Sequence, residues 1–199
     1  MSRLLCTVCC YPQLQCVCKW ASPIDNKTSV FVMQHPSEVK AAKNTVRLTS
    51  LCLKNIRVFI GEQPNDYMPL QQLDVESTFV VYPDQSDLFI ESLPRTQLTK
   101  DKINLIFLDG TWKKTYKLLK LNPWLTRYKF ISFAHMPKGQ YHIRKAPRLD
   151  SLSTLEAIAY SLTQLEQLDV CPLYHLLDAM MEQQFSAMPT SVKQRYLDT

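Results

Sequence analysis

The chain has 199 residues, 46% of them hydrophobic, which suffices for one well-packed domain of ordinary size. No run approaches the roughly 18 apolar residues of a membrane span, and the N-terminus shows no basic segment followed by an apolar run and a cleavage site, so a cytoplasmic protein away from the membrane is expected, and the sequence implies no protein partner. With only 3 glycines the phosphate-cradling loops of P-loop and dinucleotide-binding folds cannot be built, which sets aside kinase and nicotinamide-dehydrogenase readings; the formal net charge is +5.

Cysteine dominates the start of the chain. Cys6, Cys9, Cys10, Cys16 and Cys18 crowd two short knuckles, whereas the half-cystines of secreted disulfide frameworks are spread along the sequence. Tetrahedral zinc needs four converging thiolates, and Cys6-x2-Cys9 with Cys16-x-Cys18 can supply them while Pro12 helps to turn the intervening chain; Cys10 is then a bystander. Four thiolates leave no open coordination position, so such a zinc is structural. A reduced, metal-free cluster or a redox-sensitive patch is the alternative. Residues 1–22 are read as a zinc-knuckle segment and 23–199 as an α/β domain.

Short runs rich in Val, Ile, Phe and Tyr at 29–33, 56–60, 78–82, 103–108 and 128–133 predict strands. Between them lie helix-like stretches. One opens near Pro36, a residue suited to the first helical position, and carries Val39, Val46 and Leu53 on roughly helical spacing, with His35 and Glu38 as its cap and first turn; another follows Trp112. This alternation implies an α/β fold with a mainly parallel sheet. Ser153-Thr154-Leu155-Glu156 fits a capping box opening a further helix, and Pro172 opens a last one after a break at 169–171. The polar tail after Pro189 is expected to be loosely ordered.

Charge is one-sided in the second half. Between Asp109 and Asp150 there is no acidic residue, while Lys113, Lys114, Lys117, Lys120, Arg127, Lys129, Lys138, Arg144, Lys145 and Arg148 all fall there. Trp112, Tyr116, Trp124, Tyr128, Phe130, Phe133 and Tyr141 are interleaved with them. Cations for phosphates and rings for stacking suit an RNA binder, with Lys113, Lys117, Lys120, Arg127, Lys145 and Arg148 as the candidate contacts; a solvated basic face with core aromatics is the plainer reading. Within this interval, Leu108-Asp109-Gly110-Thr111-Trp112 marks a buried strand that ends in an acid and turns into a helix. Ligands and catalytic side chains gather at the carboxyl ends of such strands, although Asp109 would also serve simply to cap the following helix.

Asp109-Gly110-Thr111-Trp112 resembles the signature of the DTW-domain family of tRNA-uridine aminocarboxypropyltransferases. The resemblance extends to Arg3-x2-Cys6-x2-Cys9-x2-Pro12-x3-Cys16-x-Cys18, to Gln34-His35-Pro36-x-Glu38 followed by Asn44-Thr45, to Tyr82-Pro83, and to Arg144-Lys145 followed by Ser153-Thr154-Leu155-Glu156-Ala157. These matches run in order over roughly residues 3–170. Val81 departs from the Leu expected before Tyr82-Pro83, and the C-terminal tail aligns with nothing in the pattern.

The resemblance implies a fold similar to the knotted α/β methyltransferases of the SPOUT type, and tRNA as partner. It also implies S-adenosylmethionine as co-substrate, whose aminocarboxypropyl group moves to N3 of a uridine with 5′-methylthioadenosine leaving. Which sulfonium carbon lies in line with the nitrogen decides the product. Asp109 is then the candidate base for the N3 proton, or a group that orients the uridine; the ordinary aspartate pKa of about 3.9 matches that proton poorly. Tyr82, Pro83, Leu108, Gly110, Thr111 and Trp112 are the pocket candidates, Trp112 being equally able to seat its helix in the core. Arg144 is a candidate for the cofactor carboxylate or a tRNA phosphate, and Ser153, Thr154 and Glu156 form a capped helix N-terminus able to anchor a carboxylate. His135 and His142 receive no role. An S-adenosylmethionine-dependent RNA methyltransferase, which would release S-adenosylhomocysteine, and a non-catalytic zinc-containing RNA-binding module are the rival readings.

Overall fold

A computed structural model describes residues 4–83, 86, 88–93, 102–137, 139, 152–186 and 188. Five strands, β1 (Ser29–Gln34), β2 (Ile56–Ile60), β3 (Thr78–Val81), β4 (Asn104–Asp109) and β5 (Lys129–Ile131), form one sheet in the order β2-β1-β4-β3-β5 with every pairing parallel. Parallel pairing requires a crossover between successive strands, and strands covered on both faces read as nearly continuous apolar runs. β1 and β4 show this, with Val30, Phe31, Val32 and Met33 and with Leu105, Ile106 and Phe107 all buried.

Alternate residues of these strands feed two cores. Val30, Val32, Leu105 and Phe107 face helices α1 (Val46–Cys52), α3 (Thr154–Glu166) and α4 (Cys171–Ser186), whose Leu48, Leu155, Ile158, Leu162, Leu176 and Leu177 complete that layer. Phe31, Met33 and Ile106 face the other layer, where Leu119 of α2 (Trp112–Leu121) joins Leu70 and Tyr67 of a 3-10 segment (Pro64–Gln72) and Leu125 of a second one (Pro123–Arg127). The N-terminal knuckle packs on the first core: Cys9, Tyr11 and Val17 are buried in it, and the Tyr11 hydroxyl donates to the Asn44 carbonyl at 2.9 Å. Among the described residues no helix is long and apolar enough to cross a membrane.

Two sequence expectations need correction or placement. The helix expected from Pro36 onward is only a 3-10 turn (Pro36–Glu38), and α1 begins at Val46. The Asn44 side chain donates to the Glu38 carbonyl at 2.9 Å and accepts from the Arg47 N–H at 3.3 Å, so a local side-chain network replaces the helical ladder there. The segment entering α3 at 140–151 lies outside the described residues, as does the tail after Pro189.

Candidate functional site

Parallel register sets the site. Gln34 and Asp109 are the last residues of β1 and β4 and are direct cross-strand partners. Both follow two apolar residues on the same strand face, Val30 and Val32 in one case and Leu105 and Phe107 in the other, so their side chains end the core layer beneath α3. There Asp109, 7% exposed, accepts from Gln34 Nε2 at 2.8 Å through Oδ2 and from Thr154 Oγ1 at 2.6 Å through Oδ1. Gln34 Nε2 also lies 3.5 Å from Asn44 Oδ1. Donors on both oxygens of a carboxylate favour its ionised form.

The capping reading of Asp109 does not describe this arrangement. Thr111 stands at the N-cap of α2, its carbonyl accepts from the N–H groups of Lys114 and Thr115, and the Asp109 oxygens turn to β1 and α3. Gly110 makes the turn tight: a Cβ there would stand 3.0 Å from Lys114 Cβ.

At α3 the capping box has both halves. Ser153 Oγ accepts from the Glu156 N–H at 3.3 Å, and Glu156 Oε2 accepts from the Ser153 N–H at 2.8 Å. Ser153 and Glu156 are buried. Thr154, the first helical residue, is thereby presented to Asp109. Tyr82 and Trp112 meet edge to face at 6.3 Å between centroids, with Tyr82 buried, Leu108 and Trp112 half-buried, and Pro83 and Thr111 exposed. Arg144 lies outside the described residues.

Around the same end of the sheet runs a charged network that the sequence did not suggest. A Cβ at Gly61 would fall 2.3 Å from Asp66, so only glycine allows the turn after β2, where Asp66 accepts from the N–H groups of Glu62 and Gln63. Glu62 then bridges His35 Nε2 at 2.5 Å and Lys117 Nζ at 2.6 Å, and the Lys117 hydrogen bond holds its carboxyl below the usual carboxylate range. Lys114 pairs with Glu38 at 2.6 Å, while Lys129, at the opposite, amino end of the sheet, pairs with Glu76 at 3.0 Å.

The basic interval is thus partly neutralised by acids from elsewhere in the chain. Of the candidate RNA contacts, Lys113, Lys117, Lys120 and Arg127 are exposed; Arg127 donates to the Gln71 carbonyl at 3.1 Å, Lys120 lies over the Tyr116 ring, and Lys145 and Arg148 are outside the described residues. The rings read as stacking platforms mostly serve packing: Tyr128 is buried, Trp124 stacks edge-on against it, and Phe133 packs on Tyr160. Tyr116, 53% exposed, is the open one among those described.

The four knuckle sulfurs converge. Cys6, Cys9, Cys16 and Cys18 hold their Sγ atoms within 4.8 Å of one another, with Cys6–Cys18 and Cys9–Cys16 at 3.7 Å and Cys6–Cys16 at 3.6 Å. Zinc–sulfur bonds of about 2.3 Å in a regular tetrahedron require edges of about 3.8 Å, so the quartet has the dimensions of a metal site. Backbone N–H groups of Cys9 and Val8 bring the Cys6 thiol down to about 6, a thiolate-forming environment, while burial pushes Cys18 up to about 12. Cys10 is exposed and outside the quartet, at φ 56°, where its N–H closes the turn onto the Cys6 carbonyl at 3.0 Å.

The pattern of the DTW domain matches residues 3–185. The chain is 29% identical over 173 residues to tRNA-uridine aminocarboxypropyltransferase 2 of Macaca fascicularis, covering 81% of this chain and 56% of that protein, and the Mus musculus protein of the same name matches to the same extent. The Drosophila melanogaster protein of that name is 28% identical over 172 residues, covering 82% of this chain and 67% of its own length. The chain therefore spans about half the length of the two mammalian relatives. No solved structure matches it.

Proposed function

This chain belongs to the DTW-domain family, and from that premise we propose that it transfers the 3-amino-3-carboxypropyl group of S-adenosylmethionine to N3 of a tRNA uridine. The relatives' name supplies the reaction class. The observation that carries the reading onto this chain is Asp109, delivered by a buried parallel strand to the carboxyl end of the sheet and held through both oxygens.

In the transfer, the N3–Cγ bond forms as the Cγ–sulfonium bond breaks, and sulfur keeps the electron pair as 5′-methylthioadenosine leaves. N3 becomes more acidic as it bonds to carbon, so an ionised carboxylate can take its proton late in the step. Asp109 is assigned that role, and Tyr82, Leu108, Gly110, Thr111 and Trp112 are assigned to the cofactor pocket, with Tyr82, Leu108 and Trp112 packed in the layer on the other face of the sheet from the Asp109 side chain. Thr154 acts on Asp109 and Ser153 and Glu156 hold the helix that presents it, while Arg144 is assigned to the cofactor carboxylate. The exposed cations of α2, Lys113 and Lys120 foremost, meet tRNA phosphates. The quartet of Cys6, Cys9, Cys16 and Cys18 holds a structural zinc ion, supported by its tetrahedral spacing.

Incubation of the protein with unmodified tRNA and S-adenosylmethionine, followed by mass spectrometry of nucleosides and by-product, tests the reaction. Aminocarboxypropyluridine with methylthioadenosine is expected. Methyluridine with S-adenosylhomocysteine would assign a methyltransferase, and tRNA binding without product a non-catalytic module.

A further inference from the structure

We propose that Gln34 is a positioning residue for the transfer, acting through Asp109; the inference rests on the assignment of Asp109 to the reacting centre. Gln34 is 3% exposed at the end of an otherwise apolar strand, and a buried amide is retained in such a place only if its hydrogen bonds are met. Its Nε2 group donates to Asp109 Oδ2 at 2.8 Å and lies 3.5 Å from Asn44 Oδ1. The bond to Asp109 crosses between neighbouring strands in register, so the amide cannot drift along the sheet relative to the carboxylate. Thr154 fixes the other oxygen at 2.6 Å from α3.

Two donors from two different elements hold the carboxylate, one on each oxygen. Gln34 thus contributes to which way the Asp109 lone pairs face, and misplacement of a reacting group by an ångström is enough for large rate losses. The residue also forms part of the wall of a cleft between the knuckle and α1, beside Cys9, Val46 and Arg47.

The test compares Gln34→Leu, Gln34→Glu and Asp109→Asn, alone and with the first and last combined, by steady-state turnover on tRNA and by cofactor and tRNA affinity. Gln34→Leu, which removes the donor, is expected to lower kcat by roughly tenfold or more with both KM values changed little. Gln34→Glu keeps the shape but sets a second carboxylate against Asp109, and is expected to be slower still. A residue that only fills space would show the reverse order. If Gln34 acts through Asp109, the double variant Gln34→Leu/Asp109→Asn turns over no more slowly than Asp109→Asn alone. Should Leu at position 34 not fold, Gln34→Met, of the same length and without a donor, takes its place. Normal kcat in Gln34→Leu beside an impaired Asp109→Asn overturns this proposal alone, as do multiplying losses in the double variant. A fully active Asp109→Asn overturns the assignment of Asp109 itself and this proposal with it.

Discussion

Replacing Asp109 by Asn separates the chemistry of this residue from its place in the fold. Asn keeps one carbonyl oxygen and gains an NH2, and the structure accommodates both: Oδ1 faces Gln34 Nε2, and Nδ2 faces Thr154, whose hydroxyl turns from donor to acceptor. Two charge-assisted hydrogen bonds become neutral ones, a loss of about 1 kcal/mol each at most, part of which is offset because a buried charge no longer needs compensation. For these two bonds the loss of about 2 kcal/mol lowers Tm by roughly 8 °C in a domain of this size, so the variant is expected to be folded at assay temperature. Loss of the base, in contrast, should reduce turnover about a hundredfold, equivalent to about 2.7 kcal/mol in the barrier, with cofactor and tRNA affinities nearly intact. Initial rates of methylthioadenosine release, measured from neutral to alkaline pH with circular dichroism as the folding control, read both quantities. Raising the pH should partly restore the variant, because solvent then deprotonates N3. Wild-type rates across that range would refute the reasoning and leave Asp109 as a tie between β1, β4 and α3.

Three further outcomes are expected. Purified protein should carry about one zinc per chain; Cys9→Ser should lose it and destabilise the core into which Cys9 is packed, whereas Cys10→Ser should keep it, and equal metal loss in both, by elemental analysis, would show that the wrong four cysteines were chosen. The double reversal Lys113→Glu/Lys120→Glu should weaken tRNA binding and flatten its salt dependence without lowering Tm, because neither lysine has a carboxylate partner among the described residues, while Lys117→Glu should also destabilise by repelling Glu62. Glu91 is held below its ordinary pKa: burial opposes this, but bonds from the Tyr160 hydroxyl at 2.6 Å and the N–H groups of Ala134 and His135 outweigh it. Its contribution is therefore complete above the unfolded value of about 4.3 and vanishes as pH falls through the depressed folded value. Glu91→Gln should accordingly lower Tm at neutral pH and leave it unchanged in strong acid; an equal Tm decrement at both would place the effect in packing.

Much of this was written locally in the chain. The five apolar runs mark the strands because a strand buried on both faces needs an unbroken apolar segment, and the observed ends differ from the expected ones by no more than a few residues. The knuckle spacing and the Ser153–Glu156 capping box depend on neighbours within a dozen residues, so chain geometry alone brings their atoms together. Asp109 was legible for the same reason, as the polar end of an apolar strand. Gln34 stood in the same kind of place at the end of β1, and the alternation Val30, Val32, Gln34 was the signal that paired it with Leu105, Phe107, Asp109.

What the sequence could not decide is everything that depends on register and crossover. Gln34 and Thr154 lie 75 and 45 residues from Asp109, and nothing short-range says that β1 sits beside β4 rather than β3. The acid-free interval read as one unbroken cationic surface because its acids, Glu38, Glu62 and Glu76, come from connections that precede it by dozens of residues; tertiary packing set them against Lys114, Lys117 and Lys129. The helix expected at Pro36 gave way to α1 at Val46 because Asn44 found hydrogen bonds in the folded loop that a helical pattern cannot reveal. Periodicity and spacing determine which groups a segment offers, and only closure of the parallel sheet determines which distant groups meet them.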